Sequence, residues 1–296
     1  MINMDMAGER VAVAVDTVIW DLDGTLYEDR RVYDHYASEL ARFVPADRRP
    51  RYRDDWTGAR DGHGFVRPGL GYDEARDRLF RYVGARIVSY IDWDGRWEQE
   101  NAGEAMQPNG EAGQEDQENR PPIETPIFSP ERFNIGDMWG IPDVLAAHYG
   151  VGRDERRQAF LATRAYMGTA EGRVPPQPDV HAVLDALRTS GKRLVVMSNS
   201  PAETAVQVLD HLDIRHYFAS VVPDARKPEG LRQVLTERRE GERVLSIGDN
   251  FVNDIEPALE AGEYALYIDR YATSMGEDQA RCVRVPSIAA AVALLM

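Results

Sequence analysis

The stretch VIWDLDGTL, residues 18–26, decides the fold of this chain. An apolar run that opens at Val11 leads into Asp21 and Asp23, two carboxylates one residue apart, and then into Gly24. A run rich in Val, Ile and Trp predicts a buried parallel strand, and the glycine predicts the point where the strand ends. In an open α/β sheet, ligands bind outside the carboxyl ends of the strands. The two aspartates are therefore expected where a substrate would bind.

The closeness of these two carboxylates has two interpretations. Like charges that converge on one point repel, and the arrangement costs stability unless a cation, a proton or phosphoryl chemistry makes use of it. The alternative is a strand that ends in a solvated Asp-Leu-Asp-Gly turn without chemistry. The stretch alone does not decide between them.

Two later stretches resemble the first in ending an apolar strand with polar residues. They are LVVMSN, residues 194–199, and VLSIGDN, residues 244–250, which Asp254 follows. Between them a loop, RKPE, contains Lys227. Carboxylate oxygens suit Mg²⁺, while an ammonium and a hydroxyl would neutralise and bind phosphoryl oxygens. Together these residues predict a phosphoryl-transfer site.

The lysine in that loop is unusual for this chain. Lys192 and Lys227 are its only two lysines, and every other basic residue except histidine is an arginine. A compact ammonium fits between a carboxylate and a phosphoryl group, where a planar guanidinium would crowd them. Lys227 is therefore interpreted as functional, and Lys192 as a surface turn residue.

Taken together, the motifs Asp-x-Asp-Gly-Thr-Leu, Ser-Asn, Lys-Pro and Gly-Asp-Asn-x-x-Asn-Asp resemble the haloacid-dehalogenase-like phosphohydrolase superfamily, in the same order. The resemblance covers about residues 11–30 and 175–275. It implies that Asp21 is the nucleophile that forms an aspartyl-phosphate. It also implies that Asp23 protonates the leaving oxygen and later activates water, and that Lys227 offsets the charge of the nucleophile and the phosphoryl group.

The same resemblance implies the binding residues. Ser198 would hold a phosphoryl oxygen with the backbone at Asn199, and Thr25 would brace the first loop. The implied cofactor is Mg²⁺, and its implied ligands are Asp21, the backbone carbonyl of Asp23, Asp249 and Asp254, the last either directly or through a water.

The length of 296 residues suggests two compact units. Strand–helix alternation over residues 1–29 and 176–296 predicts a doubly wound parallel-sheet core. Between them, residues 30–175 are predicted to form a mainly α-helical cap, with helices over 31–44, 72–90, 137–149 and 153–167. The resemblance implies that such a cap closes over the site and selects the substrate.

Residues 98–126 differ in composition from the rest of the predicted cap. They contain eight acids, one arginine, four prolines and no aromatic residue. A segment of this kind cannot bury enough apolar surface to offset its ordering entropy, so a disordered loop is predicted.

Two features of the cap have alternative interpretations. The tryptophans at 56, 93, 97 and 139 either stack on a nucleobase or sugar ring or pack the small core of the cap. The arginines at 48, 49, 51 and 53 either bind an anionic substrate or form a solvated face.

Within the predicted core, local patterns give further elements. Helices are expected over 179–189, 231–238, 254–261 and 287–295, and strands over 217–222, 243–247 and 264–268. Ser200 and Glu203 form a capping-box pattern with Pro201 at the first helical position. The helix that follows would begin beside Ser198, where its N-terminus favours an anion.

Charge and composition exclude several classes of function. The formal net charge of −15 argues against binding to nucleic acid or to anionic lipid. No stretch of about 18 apolar residues occurs, so no membrane span is expected. The single cysteine excludes an internal disulfide, and the start lacks a basic signal region, so a cytoplasmic location is expected. The sequence does not indicate an oligomeric state.

The predicted function is a Mg²⁺-dependent phosphatase that hydrolyses the phosphate monoester of a small metabolite, a nucleoside monophosphate or a sugar phosphate. A phosphomutase, which shares both acids, and a non-catalytic phosphate-binding protein are the alternatives. Dehalogenases of the superfamily typically lack the second acid, which is present here as Asp23. A phosphonate hydrolase would need a cap lysine, and none lies between Asp21 and Gly191.

Overall fold

The computed structural model describes residues 15–84, 86–99, 128–129, 131–175, 177–273, 275 and 279–295. Of the loop predicted over 98–126, residues 100–126 therefore lie outside the described residues, and the two before them belong to a strand. Within the described ranges, no helix combines the length and apolar composition that crossing a membrane requires.

The described residues form eleven strands. They are β1 (Thr17–Trp20), β2 (Leu70–Asp73), β3 (Arg78–Val83), β4 (Arg86–Ile91), β5 (Trp97–Gln99), β6 (Arg132–Ile135), β7 (Arg193–Met197), β8 (Ser220–Val222), β9 (Val244–Gly248), β10 (Tyr264–Ile268) and β11 (Cys282–Val285).

The same residues form nine α-helices. They are α1 (Arg30–Ala41), α2 (Arg49–Arg60), α3 (Gly140–His148), α4 (Arg153–Met167), α5 (Val180–Thr189), α6 (Ala202–His211), α7 (Glu229–Thr236), α8 (Glu256–Glu260) and α9 (Ile288–Leu295). A 3₁₀ turn at Arg215–Tyr217 and a π turn at Phe251–Ile255 complete the helical segments.

Six strands form a parallel sheet in the order β11-β10-β9-β1-β7-β8. The four residues of β1 are all buried, as the Val/Ile/Trp run predicts for a central strand. Their side chains alternate between the two faces of the sheet. Val18 and Trp20 share a core cluster with residues of α5, α6 and α9, whereas Ile19 shares one with residues of α7 and α8. Helices thus cover both faces, and the predicted doubly wound core is confirmed.

The inserted region contains helices α1 to α4 and a second, five-stranded antiparallel sheet in the order β5-β4-β3-β2-β6. α1 contacts α2, α3 and α4, and one core cluster joins these helices to β2 and β6. An inserted cap rich in helices is therefore present, but its sheet was not expected. The assignment of residues 1–29 and 176–296 to the core and of 30–175 to the cap stays a prediction.

The helix predicted over 72–90 is wrong, because these residues form parts of β2, β3 and β4. Leu79, Tyr82, Ile87 and Tyr90 have helical spacing, but they belong to short segments rich in aromatic and β-branched residues, which favour strands. Gly84 turns the chain between β3 and β4 with a φ of +53°. The glycine was the signal that a continuous helix could not explain.

Several other boundaries differ from the prediction. Residues 49–60, for which no helix was predicted, form α2 with a proline in its first turn. The strand expected over 217–222 is reduced to β8, because its first residue completes the 3₁₀ turn. The segment expected as one helix over 254–261 is a π turn followed by the short α8.

The capping box at Ser200 is also wrong. Pro201 is the N-cap of α6, without a side-chain cap. The first helical amide, that of Ala202, donates to Asp224 Oδ2 at 3.2 Å. The hydroxyl of Ser200 donates instead to a carboxylate of the candidate site.

Candidate functional site

The sheet register brings the polar ends of three strands side by side. Trp20, at the end of β1, pairs with Val196 of β7 and with Ile247 of β9. The residues that follow these strands are therefore neighbours at the carboxyl edge of the sheet. Asp21 and Ser198, two of the predicted site residues, line one cavity there.

The cavity has a volume of about 160 Å³ and is strongly charged. Core residues that line it include Asp21, Asp23, Ser198, Asn199, Ser200, Lys227, Asp249, Asn250, Asn253 and Asp254. The inserted region supplies four more lining residues: Asp137, Trp139, Phe160 and Arg164. All predicted site residues except Thr25 therefore face this cavity.

Lys227 joins two of the acids. Its Nζ donates to Asp21 Oδ1 and to Asp254 Oδ1, each at 2.6 Å. Its side chain is 4% exposed, so these charge-assisted bonds lie away from bulk water. Burial alone would lower the pKa of Lys227, but Asp21 and Asp254 raise it well above its ordinary value. The lysine is therefore positively charged throughout the physiological pH range.

Asp21 is balanced differently. Burial raises its pKa to about 7; Lys227 opposes this effect, while Asp254 and Asp23 add to it. The cause is the crowding of several carboxylates in a site from which most water is excluded. A further cation beside Asp21 would stabilise its carboxylate form.

Asp23 has its own set of hydrogen-bond partners, which differ from those of Asp21. Its Oδ1 accepts hydrogen bonds from Tyr27 and from Arg164, and its Oδ2 accepts one from Ser200 at 2.7 Å. Ser198 Oγ also lies 3.4 Å from Oδ2. Burial alone would raise the pKa of Asp23, but Arg164 and the hydrogen bonds from Ser200 and Tyr27 lower it overall. The two aspartates of the first motif thus differ in electrostatic environment.

The three predicted substrate-binding residues occupy different positions. Ser198 is 1% exposed, and its Oγ accepts the amide hydrogen of Ser200 at 3.1 Å. The side chain of Asn199 holds the backbone of Lys227, since its Oδ1 accepts from the lysine amide at 2.7 Å and its Nδ2 donates to the lysine carbonyl at 3.2 Å. Thr25 is fully buried, and its Oγ1 has no hydrogen-bond partner among the described residues.

Three carboxylates could hold a divalent cation. Oxygens of Asp21, Asp249 and Asp254 all lie within 4.8 Å of one another, and all three residues are buried or nearly so. Hard carboxylate oxygens fit Mg²⁺, which takes one or two carboxylates together with water and phosphate oxygens. Burial is also the main cause that raises the pKa of Asp249. The carboxylate of Asp23 is bound by its own partners, and the resemblance implies its backbone carbonyl as the metal ligand.

Arg270 supports this cluster from the loop after β10. Its Nη1 donates to Asp249 Oδ2 at 3.1 Å, and its Nη2 donates to the carbonyl of Gly24. Gly24 has a φ of +85°, and a Cβ there would lie 2.2 Å from Asp249 Oδ2. The first and last motifs can approach this closely because residue 24 is a glycine.

Sequence patterns did not reveal Arg164, Arg270, Asp137 or Ser200. Arg164 is one of several arginines on the amphipathic helix α4, and the loop after β10 carried no motif. Ser200 was interpreted as a helix cap. One sequence signal was available for Arg270: it is the second residue after the core strand β10, at the edge of the sheet where ligands bind.

The structure bears on the two interpretations of the cap tryptophans and of the clustered arginines. Trp56 is buried in the cap core and Trp139 packs against Tyr33, Tyr36 and Phe160, so core packing describes both. Trp139 also lines the cavity. The four clustered arginines, Arg48, Arg49, Arg51 and Arg53, are not among the lining residues, and three of them are exposed.

The paired aspartates, the lysine and the acid triad lie together at the carboxyl edge of the sheet, as the resemblance to the haloacid dehalogenase-like hydrolases implies. The model of that family matches residues 15–262. The chain belongs to the haloacid dehalogenase-like hydrolases, a family of enzymes.

The chain is similar to several solved structures. A haloacid dehalogenase-like family hydrolase from Streptococcus pneumoniae has a TM-score of 0.52 at 14% identity, covering 96% of this chain and 99% of its own. A candidate HAD-hydrolase from Bacillus subtilis bound to magnesium has a TM-score of 0.49 at 12% identity, covering 95% and 98%. An L-2-haloacid dehalogenase from Xanthobacter autotrophicus has a TM-score of 0.43 at 14% identity, covering 95% and 98%. No curated protein matches the sequence.

Proposed function

We propose that the protein is a Mg²⁺-dependent phosphatase that hydrolyses phosphate monoesters of a small metabolite through an aspartyl-phosphate at Asp21. The observation that carries the proposal is the different surroundings of the two first-motif aspartates in one cavity. Asp21 is held by an ammonium beside a potential metal site, and Asp23 is held by hydroxyl groups and a guanidinium. Such a pair suits a nucleophile and a proton carrier.

In the first half of the reaction, a carboxylate oxygen of Asp21 attacks phosphorus. The new bond joins that oxygen to phosphorus, the ester P–O bond breaks, and Asp23 gives its proton to the leaving alcohol oxygen. The partners of Asp23 lower its pKa before substrate binds, but a phosphoryl dianion beside it favours the protonated form, so Asp23 takes up a proton from solvent as the substrate binds. Lys227 holds Asp21 in position and balances the charge that gathers there.

In the second half, Asp23 takes a proton from water as the water attacks the same phosphorus. The bond between phosphorus and Asp21 breaks and inorganic phosphate leaves, so Asp21 is again a carboxylate. Asp23, protonated by the water, releases that proton to solvent once the phosphate has left. Ser198 and the backbone at Asn199 would hold phosphoryl oxygens during both halves. Asp21, Asp249 and Asp254 would bind Mg²⁺ with the Asp23 carbonyl, and the ion supplies charge neutralisation and orientation of the phosphoryl group.

Asp23 also argues against dehalogenation. A halide leaves carbon without needing a proton, whereas an alkoxide leaving from phosphorus needs one. An acid that is buried and held by hydroxyl donors beside the nucleophile therefore favours a leaving group that must be protonated. This argument supports phosphate monoesters over haloacids.

The test is phosphate release from a panel of nucleoside monophosphates, sugar phosphates, phosphorylated hydroxy acids and p-nitrophenyl phosphate, with and without Mg²⁺. Turnover of at least one class is expected, with dependence on Mg²⁺. Asp21→Asn should lower turnover by at least about 10³-fold, because the amide is not a nucleophile. Turnover by the Asn variant at the wild-type rate, or no hydrolysis of any ester, would contradict the proposal.

A further inference from the structure

Arg164 reaches the candidate active site from the inserted region. It lies on α4, and its side chain is 1% exposed. Its Nη1 donates to Asp23 Oδ1, and its Nε lies 3.4 Å from the hydroxyl of Thr204. Its Nη2 is buried and has no hydrogen-bond partner among the described residues.

An unpaired guanidinium nitrogen in such a place is costly. Arginine stays charged in proteins, and burying one of its N–H groups without an acceptor forfeits the hydrogen bonds it makes in water. The side chain is also held in position, since its Cζ lies 5.5 Å from the ring centre of Trp139 and 5.9 Å from that of Phe160. It is not placed to turn away to another acceptor.

The missing acceptor would come from the cavity. Arg164, its two aromatic neighbours and Asp23 all line the cavity. Nη1 is bound to Asp23, the carboxyl group that would serve the ester oxygen, so the alcohol portion of a substrate would lie near the Arg164 guanidinium. Only a group a few bonds from the ester oxygen can reach it.

We propose, building on the phosphatase function, that Arg164 determines specificity by binding a carboxylate on the alcohol portion of the substrate. The substrate class is then the phosphate monoesters of small hydroxy acids, with the carboxylate next to the phosphorylated carbon. Guanidinium–carboxylate hydrogen bonds are among the strong ones in proteins. The cavity of about 160 Å³ is smaller than pockets for drug-sized ligands, which measure about 300–1,000 Å³, and the phosphoryl group would occupy part of it, so the alcohol portion must be small.

The experiment compares two esters that differ only in the carboxylate: phospholactate and isopropyl phosphate. In Mg²⁺, the wild-type protein should prefer phospholactate by at least about tenfold in kcat/KM, mainly through KM. Arg164→Gln should reduce the ratio to near one; because it also removes a partner of Asp23, both esters should be hydrolysed more slowly than by the wild-type protein. Arg164→Lys should keep part of the preference, because it retains the charge but loses the planar fork.

Arg157→Gln is the matched control, because Arg157 is exposed on the same helix; it should leave the ratio unchanged. Circular dichroism of each variant establishes that it is folded. Equal use of both esters by the wild-type protein, or a ratio unchanged in Arg164→Gln, would overturn the assignment of Arg164 while leaving the phosphatase proposal intact.

A binding measurement separates this inference from the phosphatase proposal. Asp21→Asn, which should not turn over, is titrated calorimetrically with phospholactate in Mg²⁺, alone and combined with Arg164→Gln. The added substitution should weaken binding by at least about tenfold. If no ester is hydrolysed, the phosphatase proposal fails, and equal phospholactate affinities in the two variants would still overturn the role of Arg164.

Discussion

Lys227 is the cation at the centre of the acid cluster. It contacts Asp21 and Asp254 at 2.6 Å, while Asp249 is balanced by Arg270 and Asp23 by Arg164. Each of these four carboxylates is therefore paired with a basic side chain, whereas Asp137, the fifth carboxylate that lines the cavity, accepts from the amide of Asn250. This pairing explains how four acids can be tolerated together in one small cavity.

Replacing Lys227 by Gln tests its part in turnover. The substitution removes the charge beside Asp21, the proposed nucleophile, so turnover should fall by about 10²–10³-fold in a phosphate-release assay. Lys227→Arg should also impair turnover, since a planar guanidinium does not fit between two carboxylates. The control is Lys192→Gln, which changes the only other lysine of the chain. Lys192 does not line the cavity, and its Nζ donates to the Val15 carbonyl at 2.6 Å. Equal losses in the two Gln variants would contradict the role of Lys227.

Individual residues of the candidate site could be predicted from sequence in two cases: when they directly follow a core strand, or when their residue type is rare in this chain. Asp21, Ser198 and Asp249 are of the first kind, and Lys227 is of the second. Arg164 could not be predicted, because nothing local distinguishes it from the other arginines of α4. Packing of that helix against the core brings this one residue to Asp23, and such packing leaves no local sequence signal.

At the scale of elements, a partly buried ion cluster connects the antiparallel sheet to α4. Glu74, directly after β2, lies 2.6 Å from Arg153 and 3.1 Å from Arg156. Arg156 also lies 3.3 Å from Asp143 of α3. Burial would raise the pKa of Glu74, but the two arginines lower it below the ordinary value.

Glu74→Gln should therefore destabilise the protein in a pH-dependent way. A lowered carboxyl pKa stabilises the fold above the ordinary value of about 4.3, and this contribution is lost as the pH falls through the folded-state pKa. The deficit in the free energy of unfolding should be about 1 kcal/mol at neutral pH. The deficit should shrink in acid. Urea denaturation of the variant and of the wild-type protein, at neutral pH and at acid pH, measures this change.

The matched control for this measurement is Asp185→Asn. Asp185 pairs with Arg188 at 3.6 Å, with more than half of each side chain exposed. Its deficit should be small at every pH. A Glu74→Gln deficit that grows in acid would contradict the direction of the pKa shift.

The core elements could be predicted from sequence better than those of the inserted region. A buried parallel strand such as β9 is visible in the sequence as a mainly apolar run. The alternation of such runs with helical patterns along the chain supports its assignment as a strand. In residues 72–90 the apolar positions fit a helix and a strand hairpin equally well. The strands β3 and β4 pair with each other, and β2 also pairs with β6, which lies more than fifty residues further along the chain. Short cap strands depend on such distant partners, which a local pattern does not reveal.

At the scale of the whole molecule, the inserted region lies over the carboxyl edge of the parallel sheet. Asn250 joins the two, since its Oδ1 accepts from Asn134 and its Nδ2 donates to Asp137, each at 3.1 Å. Gly136 lies between those two residues, and a Cβ there would come within 2.0 Å of the Asn250 amide. The segment after β6 therefore sits directly on the loop that carries Asp249.

Gly136→Ala should disturb this contact. The added methyl group must displace Asn250 or the segment itself, at a cost of about 1–3 kcal/mol in the free energy of unfolding. Hydrogen exchange of the amides around 134–140 should become faster. The control is Gly58→Ala in helix α2, where an added Cβ meets nothing within 4 Å. That change should be neutral or stabilising by up to about 1 kcal/mol. Equal stability and exchange in Gly136→Ala and the wild-type protein would contradict this contact.

The central claim, a phosphoryl group carried by Asp21, is tested most directly by trapping it. Asp23→Asn is mixed with p-nitrophenyl phosphate in Mg²⁺, because nitrophenolate leaves without a proton while the second half of the reaction still needs Asp23. After acid quenching, mass spectrometry of the peptide that contains residue 21 should find one phosphoryl group on Asp21. A phosphoryl group on another residue, or nitrophenolate released with no modified peptide, would contradict the account.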